Sequence, residues 1–128
     1  MNGQIIAYAL LAVLGFFYIR RMLRARSVTT YRPSEVDEKL RNDHGTFLLD
    51  VRTEKEWNQQ HIKGAHHIPL HELVRRSSEL EKHKNREIIC YCQSGNRSLT
   101  AALRLKHLGF MVAHMKGGLA EWNFQKLH

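Results

Sequence analysis

The sequence predicts an α/β domain on a mainly parallel sheet flanked by helices, preceded by one apolar N-terminal helix. Three observations carry this expectation. From Ser27 onward, short apolar runs of strand length alternate with segments of helical spacing, the signature of repeated strand–helix units. Thr46–Val51 (TFLLDV) is a compact apolar run, typical of a strand buried on both faces. Ile5–Ile19 carries no charge, and all 12 acidic residues lie beyond Arg20, so the two parts of the chain suit different solvents.

The apolar run comes first. Its 15 residues reach only about 22 Å as a helix, short of the roughly 30 Å of a bilayer core. Extension over residues 4–23 supplies the missing length, with arginine side chains snorkelling toward the headgroups and Phe17 and Tyr18 near an interface. A cleaved signal peptide would carry positive charge before its apolar region, and Met1–Gln4 has no basic side chain. Arginines also fill the region where a small-residue cleavage site would lie. Residues 1–26 are therefore expected to form a transmembrane anchor with a basic flank, and residues 27–128 the soluble domain. Arg20, Arg21, Arg24 and Arg26 make up half of the net charge of +8. By the positive-inside tendency they hold the soluble domain in the cytoplasm with the N-terminus outside, as in a bacterial inner membrane.

In the soluble part, Val28–Tyr31 reads as a short strand, and Pro33-Ser34 opens a helix around Glu35–Arg41. Thr46–Val51 is the next strand, followed by a short helix near Glu54–Gln60. A turn at Lys63-Gly64 leads to a brief strand, Ala65–Ile68, ended by Pro69. Leu70–Leu80 reads as a ragged helix. Glu87–Tyr91 (EIICY) is the clearest strand and runs into a loop, Cys92–Arg97. A helix over Ser98–Leu108 presents Leu99, Ala102, Leu103 and Leu105 and ends at Gly109. Phe110–Met115 is the last strand, Gly117-Gly118 a turn, and Leu119–Leu127 a closing helix.

The chemistry lies where Glu87–Tyr91 meets its loop. Ligands of open α/β sheets bind beyond the carboxyl ends of the strands, and Cys92 occupies that position. The amides of Gln93, Ser94, Gly95, Asn96, Arg97 and Ser98 can curl around its sulfur, with Gly95 permitting positive φ where the loop tightens. The positive end of the following helix and the Arg97 guanidinium further favour thiolate over thiol. Cys92 is thus expected to be an activated nucleophile that also holds an anion.

With these residues in view, the chain resembles the rhodanese family over nearly all of residues 28–127. Asp50-Val51-Arg52 is similar to the motif that ends the family's second strand, with Glu56-Trp57 following. His61 to Ala65 and Ile68-Pro69 resemble its main non-catalytic signature, Cys92–Arg97 its active-site loop, and Gly117-Gly118 with Trp122 its C-terminal end. The resemblance implies five parallel strands. It also implies a Cys92 persulfide, formed from thiosulfate or a persulfide donor and passed to cyanide or to a thiol, which a protein could carry, with no metal or organic cofactor. Related cell-cycle phosphatases place five residues between cysteine and arginine, whereas four separate Cys92 from Arg97, as in the sulfurtransferases. Arg97 would either steer the anionic donor or tie the loop down through a carboxylate. A tethered persulfide carrier with little turnover of its own would use the same loop.

Other residues are assigned to structure. Cys90, two residues before Cys92, reads as a small buried hydrophobe rather than a resolving thiol. Asp50 and Arg52 are expected to support neighbouring loops by pairing and hydrogen bonding, and Trp57 and Trp122 to pack in the core or at its rim. His61, His66, His67 and His71 match no compact metal-ligand spacing. No cluster of basic residues interleaved with aromatics suggests nucleic acid.

Overall fold

The computed structural model describes residues 2–43 and 45–124. The first helix, α1 (Gly3–Arg26), is apolar on all sides through most of its length, and its large side chains from Ile5 to Leu23 are exposed. Gly3–Leu23 is long and apolar enough to cross a membrane.

Beyond it lie β1 (Thr29–Tyr31), α2 (Pro33–Asn42), β2 (Phe47–Asp50), α3 (Glu54–Gln59) and β3 (His66–His67). Then come β4 (Glu87–Tyr91), α4 (Asn96–His107) and β5 (Met111–Met115). Pro33 in the first turn starts α2, where the Glu35 carboxylate accepts from the Arg32 amide and Nε, while Thr53 and Glu56 form a reciprocal cap on α3. The five strands form one sheet in the order β1-β5-β4-β2-β3, and every pairing is parallel. The innermost strand, β4, is flanked by β2 and β5.

Strand alternation builds two cores. Leu49, Ile88 and Cys90 face a layer closed by Leu73, Leu80 and the α4 residues Ala101, Ala102 and Leu105. Leu48, Ile89 and Tyr91 face the other layer, with Val36 of α2, Ile62, Leu119 and Trp122. The apolar runs of β2 and β4 lack polar alternation because both of their faces are covered. The buried Tyr91 hydroxyl is also occupied, accepting from the Ile62 amide at 3.1 Å.

Three expectations change. The segment 70–80 is not an α-helix; it forms two 3-10 stretches, Leu70–Glu72 and Ser77–His83. Leu70, Leu73 and Val74 keep helical spacing, but the next position of that stripe is Ser77, so no continuous apolar face exists to bury. Helix α4 begins at Asn96, two residues earlier than Ser98, because Gly95 takes φ 108° as its N-cap and releases the helix at once. The closing helix over Leu119–Leu127 is reduced to a 3-10 turn, Leu119–Glu121, after which Trp122 is extended and buried. Residues 125–127 of that expected helix lie outside the described residues.

Candidate active site

The central strand β4 delivers Cys92 to the carboxyl edge of the sheet, where α4 starts four residues later. The sulfur sits inside the turn between them. The Gly95 amide donates to Sγ at 3.0 Å and the Ser98 amide at 3.3 Å, while Ser98 Oγ lies 3.6 Å away. Burial alone would raise the Cys92 pKa. Hydrogen bonds from the Ser98 hydroxyl and from the amides of Ser98, Gly95 and Ser94 outweigh it, so the net shift is downward. Such a site favours an anionic sulfur, either thiolate or persulfide. Cys92 is only 1% exposed, so its sulfur lies in a close-fitting cradle.

The loop is braced from both sides. Leu119 N–H donates to Cys92 O at 2.8 Å and Ala120 N–H to Gln93 O at 3.0 Å, which locks the turn after β5 onto the loop. Gly118 makes this approach possible: a Cβ there would stand 2.4 Å from Cys92 O, and its φ is 63°. On the opposite side, Arg97 meets Glu56 through two bonds, Nη1–Oε1 at 2.6 Å and Nη2–Oε2 at 2.9 Å. The Arg97 guanidinium, helped by Thr53 against the opposing effect of burial, lowers the Glu56 pKa to about 2. Of the two roles open to Arg97, its side chain is engaged in the carboxylate pair. Gln93, Ser94 and Asn96 are exposed on the loop, and Asn96 Oδ1 accepts from Arg21 Nη2 of α1 at 3.3 Å.

Asp50 and Arg52 lie beneath this loop as a buried ion pair, with Arg52 Nη2 at 2.7 Å from Asp50 Oδ2. Arg52 also donates to Gln60 O at 2.7 Å, and His67 Nε2 donates to Arg52 O at 2.8 Å. These bonds join the ends of β2, α3 and β3 into one platform. Cys90 is fully buried, and burial pushes its thiol pKa upward, which opposes a role as a resolving thiol. Of the other histidines of that region, His61 stacks on Trp57 with ring centroids 3.5 Å apart, His66 approaches Glu79 at 3.9 Å, and His71 is exposed.

Three contributors escape a reading of sequence alone. Glu56 is visible as part of a Thr-x-x-Glu capping box, but its bond to Arg97 crosses 41 positions. Gly118 reads as a turn residue, with no sign of the backbone it touches. His114 sits in the apolar run MVAHM, and its Nδ1 lies 3.3 Å from Ser98 Oγ. A histidine in an otherwise apolar strand, on the same face as Val112, is the signal that could have found it.

The chain is similar in sequence and fold to known proteins. The model of the rhodanese-like domain matches residues 32–125. A putative sulfur carrier protein, YrkF of Bacillus subtilis, is 40% identical over 86 residues, covering 66% of this chain. This chain spans only 45% of that protein's length. A sulfurtransferase of Allochromatium vinosum is 33% identical across 68% of this chain and 80% of its own length. The rhodanese-like domain of Alr3790 from Anabaena sp., solved by NMR, superposes with a TM-score of 0.67 at 32% identity, over 73% of this chain and 71% of that one. With most of the soluble part matched and the parallel sheet in place, the chain belongs to the rhodanese-like domain family, among relatives named as sulfurtransferases and sulfur carriers.

Proposed function

We propose that this protein transfers sulfane sulfur through a persulfide on Cys92. The observation that carries the reading is the convergence of the Gly95 and Ser98 amides on Sγ within a loop of four residues between Cys92 and Arg97. The Cys92 thiolate attacks the outer sulfur of thiosulfate, releasing sulfite, or that of a persulfide, releasing a thiolate. Cys92-S-S⁻ then carries the negative charge, stabilised by loop amides from Gln93 to Ser98. An acceptor thiolate, or cyanide, attacks the outer sulfur and restores the Cys92 thiolate. The reading needs no metal or organic cofactor. Arg97 holds the loop through Glu56, and Asp50 and Arg52 support it from below.

In the same reading, residues 1–26 anchor the protein in a bacterial inner membrane, with residues 4–23 in the bilayer, the N-terminus outside and the domain of residues 27–128 in the cytoplasm. The contact between Arg21 and Asn96 supports a loop held near the membrane surface, where a membrane-associated donor or acceptor would meet it.

Turnover is the test. With thiosulfate and either cyanide or a thiol, the protein should form thiocyanate or a new persulfide, and Cys92→Ser should abolish both while Cys90→Ser retains most activity. Hydrolysis of aryl phosphates faster than sulfur transfer would overturn the reading. The sulfur-carrier name of the Bacillus relative supports a second reading, a carrier, which in this chain would be tethered by residues 1–26. A stable Cys92 persulfide released only to a partner protein would select it.

A further inference from the structure

Behind Ser98 the sulfur cradle continues into the sheet. The Ser98 side chain is fully buried, and its Oγ lies within reach of three groups: Cys92 Sγ at 3.6 Å, Gly95 O at 3.0 Å and His114 Nδ1 at 3.3 Å. A hydroxyl has one proton to donate and lone pairs with which to accept. Gly95 O can only accept, so it always competes with the sulfur for that proton. Cys92 Sγ changes from donor to acceptor when it loses its proton, and His114 Nδ1 can make the opposite change without leaving its place.

We propose that His114 is a positioning residue for Cys92, directing the Ser98 hydroxyl according to the charge on the sulfur. While Cys92 is a thiol, its S–H donates to Ser98 Oγ, and Ser98 donates onward to unprotonated Nδ1 or to Gly95 O. When Cys92 loses its proton to solvent, the imidazole takes its other neutral tautomer. Nδ1–H then donates to Ser98 Oγ, and the Ser98 proton turns to the sulfur anion. The Cys92 S–H bond breaks, the ring gives up its Nε2 proton and gains one on Nδ1 by exchange with water, and the net release is one proton, that of the thiol. The inference rests on the reading of Cys92 as the nucleophile.

The surroundings of His114 suit this role. It lies on β5 opposite Thr30 of β1 and Cys90 of β4, and the α4 side chains closing this layer are Ala101, Ala102 and Leu105. Burial is the cause that lowers its pKa, so the ring is held neutral near pH 7 and switches tautomer rather than charge. Among the described residues, the thiols of this layer are Cys92 and the buried Cys90; of the cations on α4, Arg97 is turned to Glu56 and Lys106 to Ser27 O, and Arg104 and His107 lie in its last turn.

The test is the pH dependence of Cys92 alkylation by iodoacetamide, followed by mass on the full chain in detergent, which does not depend on sulfur transfer. His114→Leu removes the reversible partner and should raise the apparent Cys92 pKa by about one unit, slowing alkylation near neutral pH up to about tenfold. The rate should recover at high pH. His114→Asn, whose amide can accept or donate, should stay within about 0.3 unit of wild type. In a Ser98→Ala background, His114→Leu should add no further shift. An unchanged pKa in His114→Leu overturns the proposal. So does an equal shift in both His114 variants, or an undiminished effect of His114→Leu without Ser98. If sulfur transfer fails while these shifts appear, the proposed function falls and the role of His114 stands.

Discussion

At the scale of single residues, two charges are arranged for different ends. Cys92 Sγ is surrounded by neutral amides and a hydroxyl, which favour an anionic sulfur without placing a counter-charge on it, as the proposed nucleophile requires. The Glu56 carboxylate is instead paired with Arg97 and draws two further bonds from Thr53, at 3.2 Å from its amide and 3.0 Å from its hydroxyl. Its pKa therefore falls in the folded state to about 2. A depressed carboxylate pKa contributes stability above the unfolded value, and that contribution is lost as the pH falls through the folded one. Acid unfolding should show this loss between the ordinary carboxylate value near 4.5 and about 2. Glu56→Gln should lack that component and lose about 1 kcal/mol at neutral pH, after allowance for solvent screening of a half-exposed pair. Urea titrations of both proteins at several pH values would check this. Equal acid sensitivity of the two would show that the pair contributes nothing to folding.

At the scale of elements, the active-site loop is held by a contact between backbones. Gly118 has no room for a side chain, since Cβ would collide with Cys92 O and with Gln93 C and O. Gly118→Ala should therefore displace the loop, costing on the order of 2–3 kcal/mol. Cys92 alkylation should lose its low-pH component in the same variant. A wild-type melting temperature with wild-type thiol reactivity would contradict the brace. This contact also marks the limit of what sequence reveals. β2, β4 and their two-sided burial were legible because their apolar residues are contiguous, and α2 because Pro33 and Ser34 mark its start. The 3-10 stretches were not, because Leu73 and Leu80 are buried by packing against the sheet rather than by a helical repeat. At the site, Cys92, Gly95 and Ser98 lie within seven consecutive residues at the junction of loop and helix α4, so the sequence shows them together. Glu56 and His114 reach it from other elements, and no local pattern records which partner a side chain will meet.

At the scale of the molecule, a sulfur cradle follows an apolar helix whose exposed side chains suit a lipid environment better than water. The basic residues at the end of that helix should be drawn to anionic lipid by about 1 kcal/mol each, favouring a cytoplasmic domain. In sealed inside-out vesicles, trypsin cutting in the basic segment should free the domain, whereas vesicles of the opposite orientation should protect it. Protection in the inside-out vesicles with release in the others, or a purified chain already starting near Ser27, would contradict this topology. The central claim, however, concerns one atom on one residue, and intact-mass measurement of the full chain after exposure to thiosulfate tests it most directly. The account predicts one added sulfur on the wild type, removed by cyanide, and none on Cys92→Ser. An unmodified wild type, or a sulfur retained in the Cys92→Ser protein, would contradict it.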